Sequence, residues 1–337
     1  MKKQRKASGK NQESSRMPLW AVPVIAAGAW ILYSKLIVDH DQPLPEAVEA
    51  KRVVFKSKLG VNLNYYVDRK VEGRPLVLIH GVNSGASAYE MRPLFEYYRS
   101  SRPVYALELP GFGFSDRPDR TYTPQYFAEA LLDFLETQIG EAVDVIALSL
   151  SCEFSARAAV ALPDCFHSLA FISPSGLGED PGDASLQLIQ PGSLSEKVHG
   201  VLEYPIWSQA TFDLMSIRIS LAHLYRLYFV DQAPSDLVDY AYATAHQPGA
   251  KNVPLAAMSG CLSTTGIRSR LYDRIQAPTL VLFDRDPFAR FDMLPYQLGR
   301  SPRWQEARIM PSLGMPHFEK LPQTVAALDG FWGGLDS

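Results

Sequence analysis

Ser149 is the serine in this 337-residue chain whose surroundings could make it reactive. The apolar pattern VDVIA runs into Leu148-Ser149-Leu150-Ser151 and then into a helical pattern. Ala147 and Ser151 lie two residues to either side, and both are small enough to let a strand reverse sharply into a helix. Such a turn puts Ser149 at its tip, hydroxyl exposed and helix N-terminus beneath it, which is the mechanics of a nucleophile elbow. Ser151 falls in the first helical turn, where a serine serves the backbone, so Ser149 is the candidate nucleophile. A serine hydroxyl is weak until a base takes its proton, a service worth on the order of 10²–10⁴-fold. Seven histidines could supply it: His40, His80, His167, His199, His223, His246 and His317.

A serine held this way needs a rigid strand beneath it. From Arg52, Val53 and Phe55 and then Val61, Leu63, Tyr65 and Val67 alternate around Gly60, which predicts an antiparallel hairpin. PLVLIHG and PVYALELPGFG are continuous apolar runs ending in turn residues, as expected of parallel strands buried on both faces. Thr123 as N-cap, Pro124 at the first helical position and Gly140 past the end bracket a helix with Phe127, Leu131, Phe134, Leu135 and Ile139 on its apolar face. VDVIA, a helix from Cys152 to Leu162 stopped by Pro163, and SLAFISP continue the alternation, so the class expected is α/β with a doubly wound, mostly parallel sheet. Residues 179–261 carry helical patterns and no buried strand. Strand-like sequence resumes at PTLVLF and QEARIM, and a last helix is expected from Pro322 to Trp332. The middle stretch reads as a helical cap, 179–261, inserted between core segments 51–178 and 262–337.

Composition narrows the function classes. Hydrophobic residues are 47% and charged residues 20%, enough to bury a substantial core. With 33 basic and 36 acidic side chains the net charge is −3, which leaves no electrostatic footprint for nucleic acid. Cys152, Cys165 and Cys261 are an odd number at unpatterned spacings, neither a disulfide framework nor a metal-ligand set. No His-Glu-x-x-His, EF-hand or P-loop pattern occurs, and Gly111-Phe112-Gly113 lacks the third glycine of a dinucleotide loop, so no metal or nucleotide cofactor is implied.

The amino terminus differs from the rest. Residues 1–16 form a polar tail with Lys2, Lys3, Arg5, Lys6, Lys10 and Arg16, and Met17 to Ser34 is uncharged. A spanning helix needs about 17–25 apolar residues. Residues 17–38 are therefore expected to be a transmembrane signal anchor, with Lys35 snorkelling and Trp20, Trp30 and Tyr33 at the interfaces. A signal peptide cleaved at Ala27-Gly28-Ala29 is the alternative; an amphipathic surface helix lacks its charged face. Residues 39–50, acidic and proline-containing, read as a linker. The basic residues ahead of the apolar stretch, against Asp39 and Asp41 behind it, place the N-terminus inside and the catalytic domain outside a cell membrane.

Five motifs in order complete the picture: His80-Gly81 after the LVLI strand, LPGFGFSDRP from Leu109, ALSLS at the elbow, FDRDPF after a later strand and GMPHFEK near the end. Together they resemble the α/β-hydrolase fold family, in its cap-bearing, serine-nucleophile, esterase-like branch, over about residues 51–335. Both glycines of the usual G-x-S-x-G are replaced, by Ala147 and Ser151. The resemblance implies His317 as base, since it lies in the loop after the last strand and completes the order Ser, Asp, His. It implies Asp286 as acid, because that residue precedes Pro287-Phe288; Asp284 is the competing carboxylate. It places the oxyanion-hole amides at Val82 and Leu150, makes His80 structural, and requires no cofactor. Asn83 either lines the pocket or holds its own loop, the second being favoured. A serine nucleophile argues against the dehalogenase and epoxide hydrolase branches. The activity expected is ester hydrolysis through an acyl-enzyme on a small-molecule acyl substrate. C–C bond hydrolysis, haloperoxidase-like chemistry, acyl transfer and a ligand-binding or signalling role on the same fold stay open. Phe212, Leu214, Met215, Leu221, Leu224, Tyr228 and Phe229 in the cap suit a lipophilic ligand or pack the cap itself, the latter being favoured.

Overall fold

The computed structural model describes residues 21–179 and 193–335. It divides the chain into two units, one up to Val38 and one from Asp39. The basic tail and residues 17–20 of the expected anchor lie outside the described residues, as do 180–192 of the expected cap.

In the first unit, Ala21–Leu36 forms helix α1, with Val24, Ile25, Leu32 and Leu36 exposed. Its 16 residues span about 24 Å at 1.5 Å each, short of the roughly 30 Å hydrocarbon thickness. Among the described residues no helix is long and apolar enough to cross a membrane, so the expected span over 17–38 is not supported by them.

In the second unit the described residues form an eight-stranded sheet in the order β1-β2-β4-β3-β5-β6-β7-β8. The expected hairpin is β1 (Lys51–Lys56) paired antiparallel with β2 (Asn62–Asp68), which runs antiparallel to β4 (Val104–Glu108). From there β3 (Leu76–Ile79), β5 (Val143–Leu148), β6 (Phe166–Ile172), β7 (Thr279–Phe283) and β8 (Trp304–Arg308) pair parallel. Strand alternation sends Val77 and Ile79 of β3 to one core and Leu76 and Leu78 to the other, so the apolar runs are buried on both faces.

Helices cover both faces, as a sheet apolar on both sides requires. On one, α3 (Pro124–Phe134) and α4 (Ser151–Ala161) pack together, with the rings of Phe127 and Phe154 stacked at 4.6 Å. Thr123 Oγ1 accepts the Tyr126 amide as the expected N-cap, and a π-helical turn, Leu135–Ile139, continues α3 to Gly140, which closes it at φ 80°. On the other face lie α2 (Arg92–Tyr98) and the last helix, which bury Leu94, Phe95, Leu328 and Phe331.

Between β6 and β7 the described chain is helical: α5 (Ser193–Leu202), α6 (Ser208–Ser216), α7 (Arg218–Leu227), α8 (Ser235–Ala245), α9 (Asn252–Met258) and the short α10 (Ile267–Arg270). After β7 come α11 (Leu294–Arg300), β8, α12 (Pro316–Glu319) and α13 (Leu321–Leu335).

Candidate active site

Ser149 stands between the end of β5 and the start of α4, half-buried, with φ at 54°. A side chain in this left-handed region costs about 1–3 kcal/mol and persists only where the surroundings enforce it. Here they do: the Ser149 amide donates to the Ile172 carbonyl of β6 at 2.8 Å, and the Ser149 carbonyl accepts the Cys152 amide at 3.1 Å. The serine is thereby turned off the sheet at its carboxyl edge, the side where α/β sheets bind ligands.

Ser151 is fully buried and donates its hydroxyl to the His80 carbonyl at 2.6 Å. It serves the backbone and pins the elbow to the loop after β3. His80 is fully engaged: Nδ1 donates to the Gly81 carbonyl at 2.7 Å and Nε2 accepts the Leu109 amide at 3.1 Å. Burial lowers its pKa to about 4, so it is neutral and structural. The amides of Val82 and Leu150 donate to no acceptor among the described residues. Two free N–H groups beside a turned serine are what an oxyanion requires. Asn83 does both things expected of it: its Oδ1 accepts the Gly85 amide at 2.8 Å, and the residue also lines a cavity.

The two aspartates have separate tasks. Asp284 is buried, accepting Arg308 Nε at 2.9 Å and the Ser312 amide at 3.1 Å, which ties the end of β7 to the loop after β8. Asp286 accepts the amides of Phe288 and Ala289 on Oδ1, at 2.7 and 2.9 Å, and turns Oδ2 toward Gly314 in that same loop. A Cβ on Gly314 would lie 2.9 Å from Asp286 Oδ2 and 2.4 Å from Tyr228 Cδ1, so only glycine fits between them. Both carboxylates thus meet the histidine-bearing loop, Asp284 at Ser312 and Asp286 at Gly314, three residues before His317, and Asp284 is also committed to Arg308.

His317 lies at the start of α12 and is fully buried. Its Nε2–H donates to the Glu90 main-chain carbonyl at 2.7 Å, and Nδ1 has no hydrogen-bond partner among the described residues. The structure thus brings Asp286 to the loop of His317 but bonds that imidazole neither to Asp286 through Nδ1 nor to Ser149. Burial, partly offset by the Glu90 bond, lowers its pKa to about 4, so the ring is neutral at pH 7 with a lone pair on Nδ1. Several other histidines are engaged elsewhere: His40 with Asp213, His167 with Asp144, and His246 with the Tyr242 carbonyl.

Polar residues to which the motifs assign no role complete the site. Glu90 and Tyr225 are buried against the loop after β3. Tyr228 packs against Phe288 with ring centroids 5.1 Å apart, and burial together with the Asp286 and Glu90 carboxylates raises its phenol well above the ordinary value. Glu319 accepts the amides of Val230 and Leu313, at 2.6 and 2.8 Å, joining the helical insert to the loop after β8. The signal that could have found these is their burial, which composition conceals.

A cavity of about 520 Å³ borders the loop after β3, lined by Val82, Asn83, Leu214, Met215, Leu224 and Phe288 among others; Ser149 is not part of its lining. The apolar residues of the insert divide accordingly. Phe212 and Leu221 are fully buried and pack the insert, while Leu214, Met215 and Leu224 face the cavity. A wider cleft of about 870 Å³ between α7 and α8 is lined by Arg218, His223, Arg226 and Asp231 and holds none of the candidate residues. Among the described residues no cluster of side chains could hold a metal ion.

The family described as "Alpha/beta hydrolase family" matches residues 76–328. A protein named as an uncharacterized hydrolase, YugF of Bacillus subtilis, is 35% identical over 121 residues, 35% of this chain and 42% of that protein. The match thus spans less than half of that relative's length. Among solved structures, a serine hydrolase involved in carbazole degradation (CarC) superposes with a TM-score of 0.65 at 18% identity, over 84% of this chain and 99% of that one. A bacterial membrane phospholipase A superposes with a TM-score of 0.64 at 18% identity, over 95% of this chain and 97% of that one. At such identities the likeness is one of fold.

Proposed function

This chain belongs to the alpha/beta hydrolase family, and from that premise we propose that it hydrolyses carboxylic esters with a lipophilic part, with Ser149 as nucleophile. The observation that carries the reading is Ser149 held at φ 54° at the strand–helix junction, with the Leu150 and Val82 amides unengaged and Val82 lining an apolar cavity. Ser149 Oγ attacks the ester carbonyl and gives its proton to His317; the Val82 and Leu150 amides hold the oxyanion. The tetrahedral species collapses, His317 protonates the departing alkoxide, and water repeats the sequence on the acyl-enzyme. Asp286 orients and stabilises the imidazolium. For this the imidazole turns from the Glu90 carbonyl toward Ser149 and Asp286 as substrate enters; catalytic hydrogen bonds commonly tighten only in the substrate complex.

The apolar lining and the superposed membrane phospholipase A support a lipid-like ester. The exposed apolar residues of α1 and the basic residues ahead of it in the sequence support an amino-terminal membrane anchor holding the catalytic unit outside the membrane.

A second reading, a ligand-binding protein on the same fold, is favoured by the hold of Glu90 on the His317 ring. One experiment separates the two. The enzyme labels with a fluorophosphonate and turns over nitrophenyl esters, with kcat/KM rising with acyl length, and Ser149→Ala loses both. A wild-type protein that neither labels nor turns over makes it a binder. A preference for acetate over long acyl chains overturns the lipophilic part.

A further inference from the structure

Glu90 is a buried carboxylate that none of the recognised motifs contains, and both its oxygens are hydrogen-bonded. Oε2 accepts the Gly81 amide at 2.9 Å, and Oε1 accepts Asn83 Nδ2–H at 2.7 Å and the Tyr225 hydroxyl at 3.0 Å. Gly81 and Asn83 flank Val82, the residue whose amide is offered to the oxyanion. The carboxylate therefore grips the loop on both sides of that peptide. The grip is close: a Cβ on Gly81 would lie 3.1 Å from Glu90 Oε2 and 3.5 Å from Leu148 Cδ2, leaving the chain little room between them. The third donor, Tyr225, comes from α7 of the helical insert, and the Glu90 main-chain carbonyl holds the ring of His317. One residue thus touches the oxyanion loop, the insert over the cavity and the candidate base.

A carboxylate only accepts hydrogen bonds, so the three donors converging on Glu90 favour its ionised form, against the burial that pushes its pKa above the ordinary value. An amide in its place would turn an N–H toward either the Gly81 N–H or the Asn83 and Tyr225 donors. A residue needed merely to fill space would not require this match.

We propose that Glu90 is a positioning residue of the oxyanion hole: through Gly81 and Asn83 it sets the direction of the Val82 amide, and through Tyr225 it makes that direction depend on how α7 is seated. This rests on the reading of the chain as a serine hydrolase. The substrate's approach beneath the insert and the readiness of the oxyanion donor are then coupled by a hydrogen bond.

The test compares full-length wild type, Glu90→Gln and Tyr225→Phe on one nitrophenyl ester, with Ser149→Ala as the blank. Losing an oxyanion donor costs on the order of 10²–10³-fold in kcat, so Glu90→Gln is expected to lower kcat by about 10²-fold, with KM little changed. Inhibition by a trifluoromethyl ketone, which forms an oxyanion on Ser149, weakens in parallel. Tyr225→Phe leaves the Gly81 and Asn83 bonds in place and gives a smaller loss of the same kind. If Glu90→Gln does not fold, Tyr225→Phe carries the test. Folded Glu90→Gln with wild-type kcat and inhibitor affinity, or a loss confined to KM, overturns the proposal. Tyr225→Phe with wild-type kcat removes the coupling to α7. Wild-type turnover that survives in Ser149→Ala overturns the hydrolase reading instead, and the blank keeps the two failures apart.

Discussion

Replacing His317 with glutamine removes a titrating group from the interior while keeping a side-chain donor for the Glu90 carbonyl. Burial lowers the pKa of His317 from 6.5 to about 4. Between those values the unfolded chain binds a proton that the folded chain refuses. The contribution of the group to stability is therefore full above pH 6.5 and is lost as the pH falls toward 4. At about 1.4 kcal/mol per pH unit within that window, acidifying from pH 7 to pH 5 costs the wild type about 2 kcal/mol through this residue. The wild-type curve alone hides the effect. His80 adds a loss of the same sign, while Glu108 and Glu153, each raised by burial from 4.5 to about 7, lose stability as the pH rises and so oppose it. The difference between wild type and variant isolates His317. Thermal unfolding of both full-length proteins at pH 7 and pH 5 should show His317→Gln gaining about 4 °C relative to wild type on acidification. An offset that is the same at both pH values would mean that His317 takes up its proton alike in both states, and the account of a buried neutral imidazole would fail.

Three further outcomes follow from the site and the anchor. Asp286→Asn should lower kcat on an activated ester by about 10⁴-fold with little change in melting temperature. Asp284→Asn should instead lower the melting temperature by loosening Arg308 and Ser312, with kcat near wild type; the reverse pattern would move the acid to Asp284. Protease added to intact cells should remove the catalytic unit, and full protection of a domain that is cleaved after lysis would refute the proposed orientation.

Much of the fold was legible because its signals are local. Alternation around Gly60, unbroken apolar runs and the Thr123, Pro124 and Gly140 brackets each report conditions met within a few residues. The small neighbours of Ser149 worked the same way. What stayed illegible depends on partners far along the chain. Asp284 and Asp286 sit two residues apart and differ through Arg308, Ser312 and Gly314, which approach them only in the folded sheet. The orientation of the His317 ring is decided by a carbonyl 227 residues away. Glu90 and Tyr225 are polar residues in unremarkable surroundings, and periodicity cannot distinguish a buried polar side chain from a solvated one. The span expected over 17–38 rested on hydropathy, whereas the described helix measures 16 residues.

The hydroxyl of Ser151 on the His80 carbonyl has a mechanical side. An elbow and a neighbouring loop joined only through the sheet below are two levers on one base, each free to sway at its tip. The bond from Ser151 acts as a cross-brace between them, so Ser149 and the Val82 amide move as one frame and the gap between nucleophile and oxyanion donor holds its width. Glycine, the usual family residue at position 151, has no hydroxyl with which to make that brace. Restoring the family pattern at this position would therefore loosen the frame it normally serves.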